Sequence, residues 1–412
     1  MREPEKFDLV IIGRGAAAFS AAIKASELSN GEMTIAMVGT GPIGGTCVNV
    51  GCVPSKYLLE ASHSVFKPAH PRMPGLHETE VKYDFSMIME GLRSYVSHAR
   101  DSKYVKVIEN YSNVKLFTGL GSFLDKKTVV ITGPDGKEVG KVSGSNILIA
   151  TGSHPSIPNI KGLRNTGFIT SDTIWEMNEL PESVAIIGGG AIGLEIGQAL
   201  LHFGSKVIVI EAMDYILPQT EGEIREALKK KLESEGMRFY LRARVSAVRK
   251  SGNWKSLDVI THKGNEKLTV KEIIVATGRQ PNTESLNLER VEVKTDPRGL
   301  IITSDTMRTS ASGIYAAGDC VSKNMFLETL AAREGVIAVS NIFGENIKID
   351  YDSTTWAVFT NPQVAGVGMT EREFSKNEWI MFNQDILSLE SDESEHYGRD
   401  GRVDKNSRRS KG

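Results

Sequence analysis

The chain has 412 residues, with 49 Lys and Arg against 51 Asp and Glu, and a formal net charge of −2. This balance gives no reason to expect nucleic acid or a membrane surface as a partner, and no apolar run is long enough to span a bilayer. Three cysteines are too few for a secreted disulfide framework, and the first residues lack the apolar core of a signal peptide. We therefore expect a cytoplasmic protein of two or three domains.

The first motif lies at a predicted turn between a strand and a helix. Residues 7–12 form an apolar run that predicts a buried parallel strand, and residues 34–38 predict the next strand of a βαβ unit. Between them, Gly13-x-Gly15-x-x-Ala18 has the spacing of a dinucleotide-binding turn, in which a pyrophosphate lies at a helix N-terminus. An acidic residue is expected at the end of the second strand to bind ribose hydroxyls, and Gly39 occupies that position.

A pair of cysteines, Cys47 and Cys52, follows within residues 44–56. Five helical steps rise about 7.5 Å, more than the usual Cα separation across a disulfide, so one cysteine must lie in distorted backbone, which Gly51 permits. Pro54 suits the first turn of a following helix, which places Cys52 at the positive end of that helix, where a thiolate is stabilised. The spacing predicts a redox-active dithiol or disulfide. The alternative is two buried structural cysteines.

A second dinucleotide-binding turn is predicted between strands at residues 184–187 and 207–210. Its motif is complete, with Gly188, Gly190 and Gly193. Glu211 follows the second of these strands, where a carboxylate accepts hydrogen bonds from a ribose 2′-hydroxyl and repels a 2′-phosphate. This pattern favours NADH over NADPH. The alternative is that Glu211 is a capping or surface residue.

Three further segments resemble strands that end in tight turns. Residues 147–152 and 273–282 each contain Ala-Thr-Gly, and residues 313–320 end a strand in Gly-Asp-Cys. Asp319 could hold a polyol or a phosphate-bearing cofactor through charge-assisted hydrogen bonds, or it could be an ordinary turn aspartate. Lys56 and Glu195 lie early in predicted helices beside these sites, and their positions alone assign them no role.

Together these motifs resemble the pyridine nucleotide-disulfide oxidoreductases over about residues 7–371. Within that family the dithiol segment is most similar to the mercuric reductases and next to the dihydrolipoyl dehydrogenases. The resemblance implies an α/β fold with two Rossmann-like dinucleotide-binding domains in three layers. It implies an FAD-binding domain at 1–153 and 280–350, and an NAD-binding domain at 154–279.

The resemblance also implies roles for single residues. Cys52 is expected next to the flavin, and Cys47 is expected to meet the substrate, so that both thiols bind Hg(II) transiently. Lys56 is expected near the flavin, paired with Glu195, and Asp319 at the ribityl chain of FAD. The cofactor-binding residues implied are Gly13, Gly15, Ala18, Thr46, Lys56, Thr151, Gly152, Gly188, Gly190, Gly193, Glu211, Gly278 and Asp319.

The chain departs from the family pattern after residue 350. Residues 351–376 resemble the beginning of the dimerisation domain of a homodimeric family, and this domain looks truncated here; residues 377–412 are polar and expected to be disordered. The His-Glu acid-base pair and the C-terminal cysteine pair of the family have no match.

The expected function is reduction of Hg(II) by NADH through FAD and a redox-active disulfide. The expected partner is thus a small molecule or a metal ion. The alternatives are a dihydrolipoyl dehydrogenase, or a truncated flavoprotein with diaphorase activity alone.

Overall fold

A computed structural model describes residues 3–71, 73–322, 325–371 and 373. The expected polar tail at 377–412 lies outside the described residues, as does part of the expected dimerisation segment at 351–376. The chain divides into two compact units. One comprises the residues up to 54 together with 93–156 and 279–351, and the other comprises 55–92, 157–278 and the described residues after 351. The assignment of an FAD-binding and an NAD-binding domain by residue number stays a prediction.

The described secondary structure alternates strands and helices along most of the chain. The strands are β1 (Glu5–Ile12), β2 (Ile35–Gly39), β3 (Val114–Thr118), β4 (Leu120–Phe123), β5 (Thr128–Thr132), β6 (Glu138–Ile149), β7 (Ser153–Pro155), β8 (Ile169–Thr170), β9 (Ser183–Ile187), β10 (Lys206–Ile210), β11 (Arg238–Tyr240), β12 (Arg244–Ser251), β13 (Trp254–Thr261), β14 (Gly264–Val270), β15 (Glu272–Val275), β16 (Arg279–Pro281), β17 (Ile314–Ala316), β18 (Thr355–Val358) and β19 (Val364–Val367). The α-helices are α1 (Ala16–Leu28), α2 (Gly45–Val50), α3 (Cys52–Ala69), α4 (Phe85–Arg100), α5 (Lys106–Ile108), α6 (Leu163–Thr166), α7 (Ala191–His202), α8 (Gly222–Ser234) and α9 (Glu328–Ile342). A π-helical turn, Asp101–Val105, links α4 to α5.

The first unit is built on a seven-stranded sheet. Its strand order is β3-β2-β1-β6-β5-β4, and β17 also pairs with β6. Strands β1, β2, β3, β6 and β17 run parallel, whereas β4 and β5 are antiparallel additions. The apolar run of β1 is buried on both faces of the sheet, as expected of a central parallel strand. Helices α1 and α9 pack together against this sheet through small residues, among them Ala17, Ala21 and Ala338.

The second unit contains a five-stranded parallel sheet in the order β11-β10-β9-β15-β8. A three-stranded antiparallel sheet, β12-β13-β14, and the β18-β19 hairpin complete it. The expected α/β class is therefore confirmed, and both predicted βαβ units are present, as β1-α1-β2 and β9-α7-β10. No helix within the described residues is long and apolar enough to cross a membrane.

The core of the first unit depends on Leu148, a fully buried residue of β6 that packs beneath α1 and α9. We expect Leu148→Ala to lower the free energy of unfolding by about 2–5 kcal/mol, because the lost side chain leaves a cavity between packed elements. Chemical denaturation measures this change. The matched control is Leu120→Ala on β4, whose side chain is 50% exposed. A control loss as large as that of Leu148→Ala would contradict this description of the core.

Candidate functional site

Three parallel strands of the first unit end at the same edge of their sheet. Strand β6 lies between β1 and β17 and is parallel to both. The turns that follow these strands, at residues 13–15, 150–152 and 317–319, therefore come together at the carboxyl edge, where α/β sheets bind ligands. A pocket at this edge is lined by Gly15, Ala16, Ala17, Gly44, Thr46, Cys47, Cys52, Ala150, Gly152, Ala317, Gly318, Asp319, Phe326, Glu328 and Ala331.

The first turn has the geometry that a bound pyrophosphate requires. Gly13 has a φ of +146°, and a Cβ atom there would lie 2.0 Å from the carbonyl oxygen of Ala150, so only glycine fits. Gly15 caps α1 in extended backbone, and no side chain caps the N-terminal N–H groups of this helix. The Thr151 hydroxyl is buried without a hydrogen-bond partner. These free donors at a helix N-terminus fit a dinucleotide such as FAD.

Asp319 lies at the same edge, with its carboxylate held by neighbouring side chains. Its Oδ2 accepts a hydrogen bond of 2.7 Å from the Ser153 hydroxyl and lies 3.9 Å from Nε of Arg279. Arg279 in turn donates to Oγ and to the carbonyl oxygen of Ser153, at 2.7 and 2.8 Å. Burial raises the pKa of Asp319, and the Ser153 hydrogen bond and the Arg279 charge oppose that rise. Hydroxyl donors of a polyol chain would stabilise the charged form further.

The turn that carries Asp319 is fixed from beneath by a buried carboxylate. Glu334 in α9 is 1% exposed, and its Oε2 accepts a 2.6 Å hydrogen bond from the N–H of Gly318. The Tyr351 hydroxyl donates to the other oxygen of Glu334 at 2.8 Å. Helix α9 thereby holds the Gly-Asp turn against the sheet.

The two cysteines flank a break between helices, as the spacing predicted. Helix α2 ends at Val50, Gly51 has non-helical torsions of φ −125° and ψ −110°, and α3 begins at Cys52. Both cysteines are thiols in this structure, Cys47 half-buried and Cys52 exposed. Cys52 is therefore the first residue of an 18-residue helix, at the end where the helix dipole favours negative charge.

A negatively charged group faces the dithiol. The hydrogen bond with Cys52 raises the pKa of the Cys47 thiol, as do burial and the negative charges of Cys52 and Glu328. Burial, together with the charges of Glu328 and both cysteines, also raises the pKa of Tyr104 to about 12. Tyr104 lies in the π-helical turn and packs edge-on against Phe19, with ring centroids 4.8 Å apart. The surroundings of Cys47 therefore oppose formation of its thiolate in the reduced form.

In the second unit, Lys56 and Glu195 form an ion pair, as the resemblance implied. The Lys56 ammonium lies 2.9 Å from Oε2 of Glu195 and 4.0 Å from the ring centre of Phe359. The other oxygen of Glu195 accepts a 2.8 Å hydrogen bond from the N–H of Phe359. Glu195 is buried and Lys56 is partly exposed. Phe359 thus contacts both partners and holds the ammonium in one position.

The second dinucleotide turn also begins a helix. Gly190 caps α7 in extended backbone, with no side chain capping the free N–H groups. A Cβ atom at Gly193 would lie 2.4 Å from the carbonyl oxygen of Gly188, so the motif allows the helix to approach the turn closely. The Glu211 carboxylate accepts hydrogen bonds from the N–H groups of Gly189 and Met213, at 2.7 and 2.8 Å. It is fixed at the end of β10, beside the turn.

The predicted residues therefore fall into two groups. The pocket of the first unit contains Gly15, Thr46, Cys47, Cys52, Gly152 and Asp319. Gly13 and Thr151 lie in the adjoining turns, whereas Ala18 is part of the apolar core and contributes to packing. The second unit contains Lys56, Gly188, Gly190, Gly193, Glu195, Glu211 and Gly278. Their roles in cofactor binding and catalysis stay predictions.

Sequence reasoning missed Glu328, Tyr104, Ser153 and Arg279. Ser153 and Arg279 each follow a Thr-Gly turn directly, which was an available signal. Glu328 and Tyr104 carry no local motif, and only the fold brings them to the cysteines.

Comparison with known proteins agrees with this arrangement. Residues 7–335 match the family model described as pyridine nucleotide-disulphide oxidoreductase. A mercuric reductase of Lysinibacillus sphaericus is 37% identical over 387 residues, covering 94% of this chain and 69% of the relative. Dihydrolipoyl dehydrogenase 2, mitochondrial, of Arabidopsis thaliana is 35% identical over 380 residues, covering 91% of this chain and 73% of that relative. The Cu(II) complex of the HOCl-induced flavoprotein disulfide reductase RclA from Escherichia coli superposes with a TM-score of 0.81 at 25% identity, covering 96% of this chain and 85% of that one.

The chain belongs to the pyridine nucleotide-disulfide oxidoreductases. This is an FAD-dependent enzyme family that uses pyridine nucleotides, so the protein is a flavoprotein oxidoreductase.

The electrostatics of the dithiol predict that Glu328→Gln lowers the pKa of Cys47, because a negative charge that opposes the thiolate is removed. We expect alkylation of Cys47 by iodoacetamide at pH 7 to become about two- to tenfold faster in the reduced protein. Peptide mapping by mass spectrometry separates Cys47 from Cys52. Glu345→Gln, an exposed position in the same unit, is the matched control. An unchanged alkylation rate of Cys47 in Glu328→Gln would show that this carboxylate does not act on the dithiol.

Proposed function

We propose that this protein uses NADH, FAD and the Cys47–Cys52 pair to reduce Hg(II). The observation that carries the proposal is that both cysteines line the same pocket as the first dinucleotide turn and Asp319. Thiolates are soft ligands and bind Hg(II) in preference to harder metal ions. The similarity to mercuric reductases over most of the chain supports this choice of substrate.

The residues of the first unit fit FAD. The uncapped N-terminus of α1 would take the pyrophosphate, and Asp319, held by Ser153, would accept hydrogen bonds from the ribityl hydroxyls. The buried Thr151 hydroxyl would find a partner in the bound cofactor. When bound, FAD supplies a two-electron carrier between the nicotinamide and the disulfide.

The chemistry of the cysteine pair balances in two stages. In the first, NADH and one proton convert the disulfide into two thiols and NAD⁺. In the second, the two thiols bind Hg(II) and release two protons, and the raised pKa of Cys47 opposes the loss of its proton. The second stage ends when a further NADH and one proton supply two electrons, which releases elemental mercury and regenerates both thiols. Each turnover thus converts NADH and Hg(II) into NAD⁺, one proton and elemental mercury. Because the pKa of Cys47 is raised and the thiolate is the form that binds metal, we expect capture of Hg(II) to become faster as the pH rises.

Dihydrolipoyl dehydrogenase activity is the second candidate, favoured by the plant relatives at 34–35% identity. Both activities use the same dithiol, so they differ in the substrate that Cys47 meets. Thiol–disulfide exchange with a lipoyl group needs a proton acceptor near the attacking thiol. Both reactions need the Cys47 thiolate, whose formation Glu328 opposes, but the negative charge of Glu328 attracts a metal cation and gives no such attraction to an uncharged lipoyl disulfide.

Counting thiols before and after anaerobic treatment with NADH tests the central proposal. In air-oxidised protein we expect NADH to generate two additional reactive thiols, and we expect neither Cys47→Ser nor Cys52→Ser to gain any. The matched control is Cys320→Ala, because Cys320 is fully buried and donates weakly to the carbonyl oxygen of Ala317. This variant should still gain two thiols.

The substrate is then tested with the same preparations. We expect Hg(II) to accelerate NADH oxidation more than lipoamide does, and Cys47→Ser to abolish the acceleration. Faster turnover of lipoamide would instead favour the dihydrolipoyl dehydrogenase alternative. Protein that carries no flavin, or gains no thiols with NADH, would overturn the proposed function altogether.

The fixed carboxylate of Glu211 predicts a preference for NADH. We expect Glu211→Gln to raise the ratio of kcat/KM for NADPH to that for NADH about tenfold, because the group that repels a 2′-phosphate loses its charge. Steady-state kinetics with both nucleotides measure the ratio. Glu226→Gln on α8, an exposed position in the same unit, should leave it unchanged. Equal ratios in Glu211→Gln and the unmodified protein would exclude Glu211 as the discriminating group.

A further inference from the structure

The end of β2 lacks the carboxylate that normally binds the adenosine ribose of a dinucleotide. Gly39 is the last residue of this strand and has no side chain to offer. Strand β2 pairs with β1 on one side and with β3 on the other, in parallel. Its carboxyl end therefore lies at the edge where the first dinucleotide turn begins. A different residue must contact the ribose at this edge if the dinucleotide is held there.

The side chain of Arg14 occupies the space beside Gly39. A Cβ atom built at Gly39 would lie 2.8 Å from Cγ and 3.2 Å from Cδ of Arg14, so any larger residue would displace the arginine. Arg14 stands between the two glycines of the first turn, Gly13 and Gly15. Because Gly39 has no side chain, the long side chain of Arg14 fits beside it.

Two hydrogen bonds at the carboxyl ends of β2 and β3 fix the guanidinium. Its Nη2 donates a 2.9 Å hydrogen bond to the Thr118 hydroxyl, at the end of β3. Its Nη1 donates to the carbonyl oxygen of Gly41 at 3.2 Å. These bonds hold the planar fork across the carboxyl ends of β2 and β3, so little side-chain freedom is left for a ligand to restrict.

The guanidinium of Arg14 has a positive charge and an N–H donor that no described residue satisfies, so both can bind a ligand. Within residues 3–71, 73–322 and 325–371, no carboxylate pairs with Arg14, and its Nε is buried without a hydrogen-bond partner. Burial lowers the pKa of Arg14, which reflects a charge partly removed from water and not compensated by an anion. A half-buried cation with an unsatisfied N–H is stabilised by a ligand that brings acceptor oxygens.

We propose that Arg14 replaces the missing carboxylate and binds the adenosine ribose of the dinucleotide held by the first unit. This inference rests on the proposed function, in which that dinucleotide is FAD. A ribose hydroxyl both donates and accepts hydrogen bonds, so it can accept from a guanidinium as readily as it donates to a carboxylate. The hydrogen-bond polarity of this subsite is thereby reversed, and Gly39 is the residue that makes room for the reversal.

The test measures the dissociation constant of the full-length chain for FAD by quenching of flavin fluorescence. We expect Arg14→Met to weaken FAD binding at least about tenfold, because hydrogen bonds from a charged group are lost. Arg290→Met makes the same substitution at an exposed position of the same unit and should bind FAD as the unmodified chain does. Unaltered affinity in Arg14→Met would overturn the proposal.

A second substitution separates ribose recognition from a structural role of Arg14. In the unmodified chain we expect Gly39→Glu to weaken FAD binding, because the new side chain displaces Arg14. In the Arg14→Met background the same substitution should strengthen binding, because the carboxylate then has room and restores the usual contact. An effect of the same sign in both backgrounds would overturn the proposal, since a structural role alone predicts no reversal.

Two further outcomes are distinguishable. If Arg14→Met does not fold, Arg14→Lys keeps the cation and loses the forked contact, and it should bind FAD severalfold more weakly; unaltered affinity would again overturn the proposal. If the unmodified chain binds no FAD, the proposed function fails first, and the assignment of Arg14 fails with it.

Discussion

The site of the first unit depends on the parallel pairing of β6 with β1 and β17. Parallel strands bring their carboxyl ends to one edge, so three turns that are far apart in the chain become neighbours. The N-terminus of α1, the Ala-Thr-Gly turn and the Gly-Asp turn all lie there. The glycine at position 13 permits the closest of these approaches, against the carbonyl of Ala150. The backbone turns of the pocket and Asp319 are positioned by this one edge.

Acidic and basic side chains lie at different places around that edge, and neighbouring residues fix the positions of Asp319 and Arg14. Asp319 is partly buried and held by Ser153, and Glu334 in turn fixes the turn that carries it. Glu328, at the beginning of α9, raises the pKa of the Cys47 thiol. Arg14 contributes the opposite charge at the end of β2. The pocket thus has anionic side chains, and a cation lies outside its lining at the end of β2, an arrangement that suits a ligand with several hydroxyl and phosphate groups.

The second unit shows how a long-range contact can hold a mobile side chain. Lys56 has four rotatable methylene groups, yet Glu195 and the ring of Phe359 restrict its ammonium from two sides. Lys56 and Glu195 are separated by 139 positions in the chain. Their pairing depends on α3 and α7 packing in the same unit, and on the backbone N–H of Phe359, which occupies the second oxygen of Glu195.

Much of the fold and part of the site follow from local sequence. Apolar runs bounded by glycine turns predicted β1-α1-β2 and β9-α7-β10, because strand burial and phosphate-binding turns each impose a local pattern. The break at Gly51 between two cysteines followed from helix geometry alone. The family resemblance added the Lys56–Glu195 pair, which no local pattern indicates.

Tertiary structure decided the rest. Sequence showed that Gly39 leaves the end of β2 without a carboxylate, but only the packed side chains show that Arg14 fills that space. Glu328 and Tyr104 reach the dithiol from separate helical elements, without any spacing that marks them. The physical reason is that backbone propensity and periodicity act over a few residues, whereas pKa values, steric replacement and ion pairing depend on groups that the folded sheet brings together.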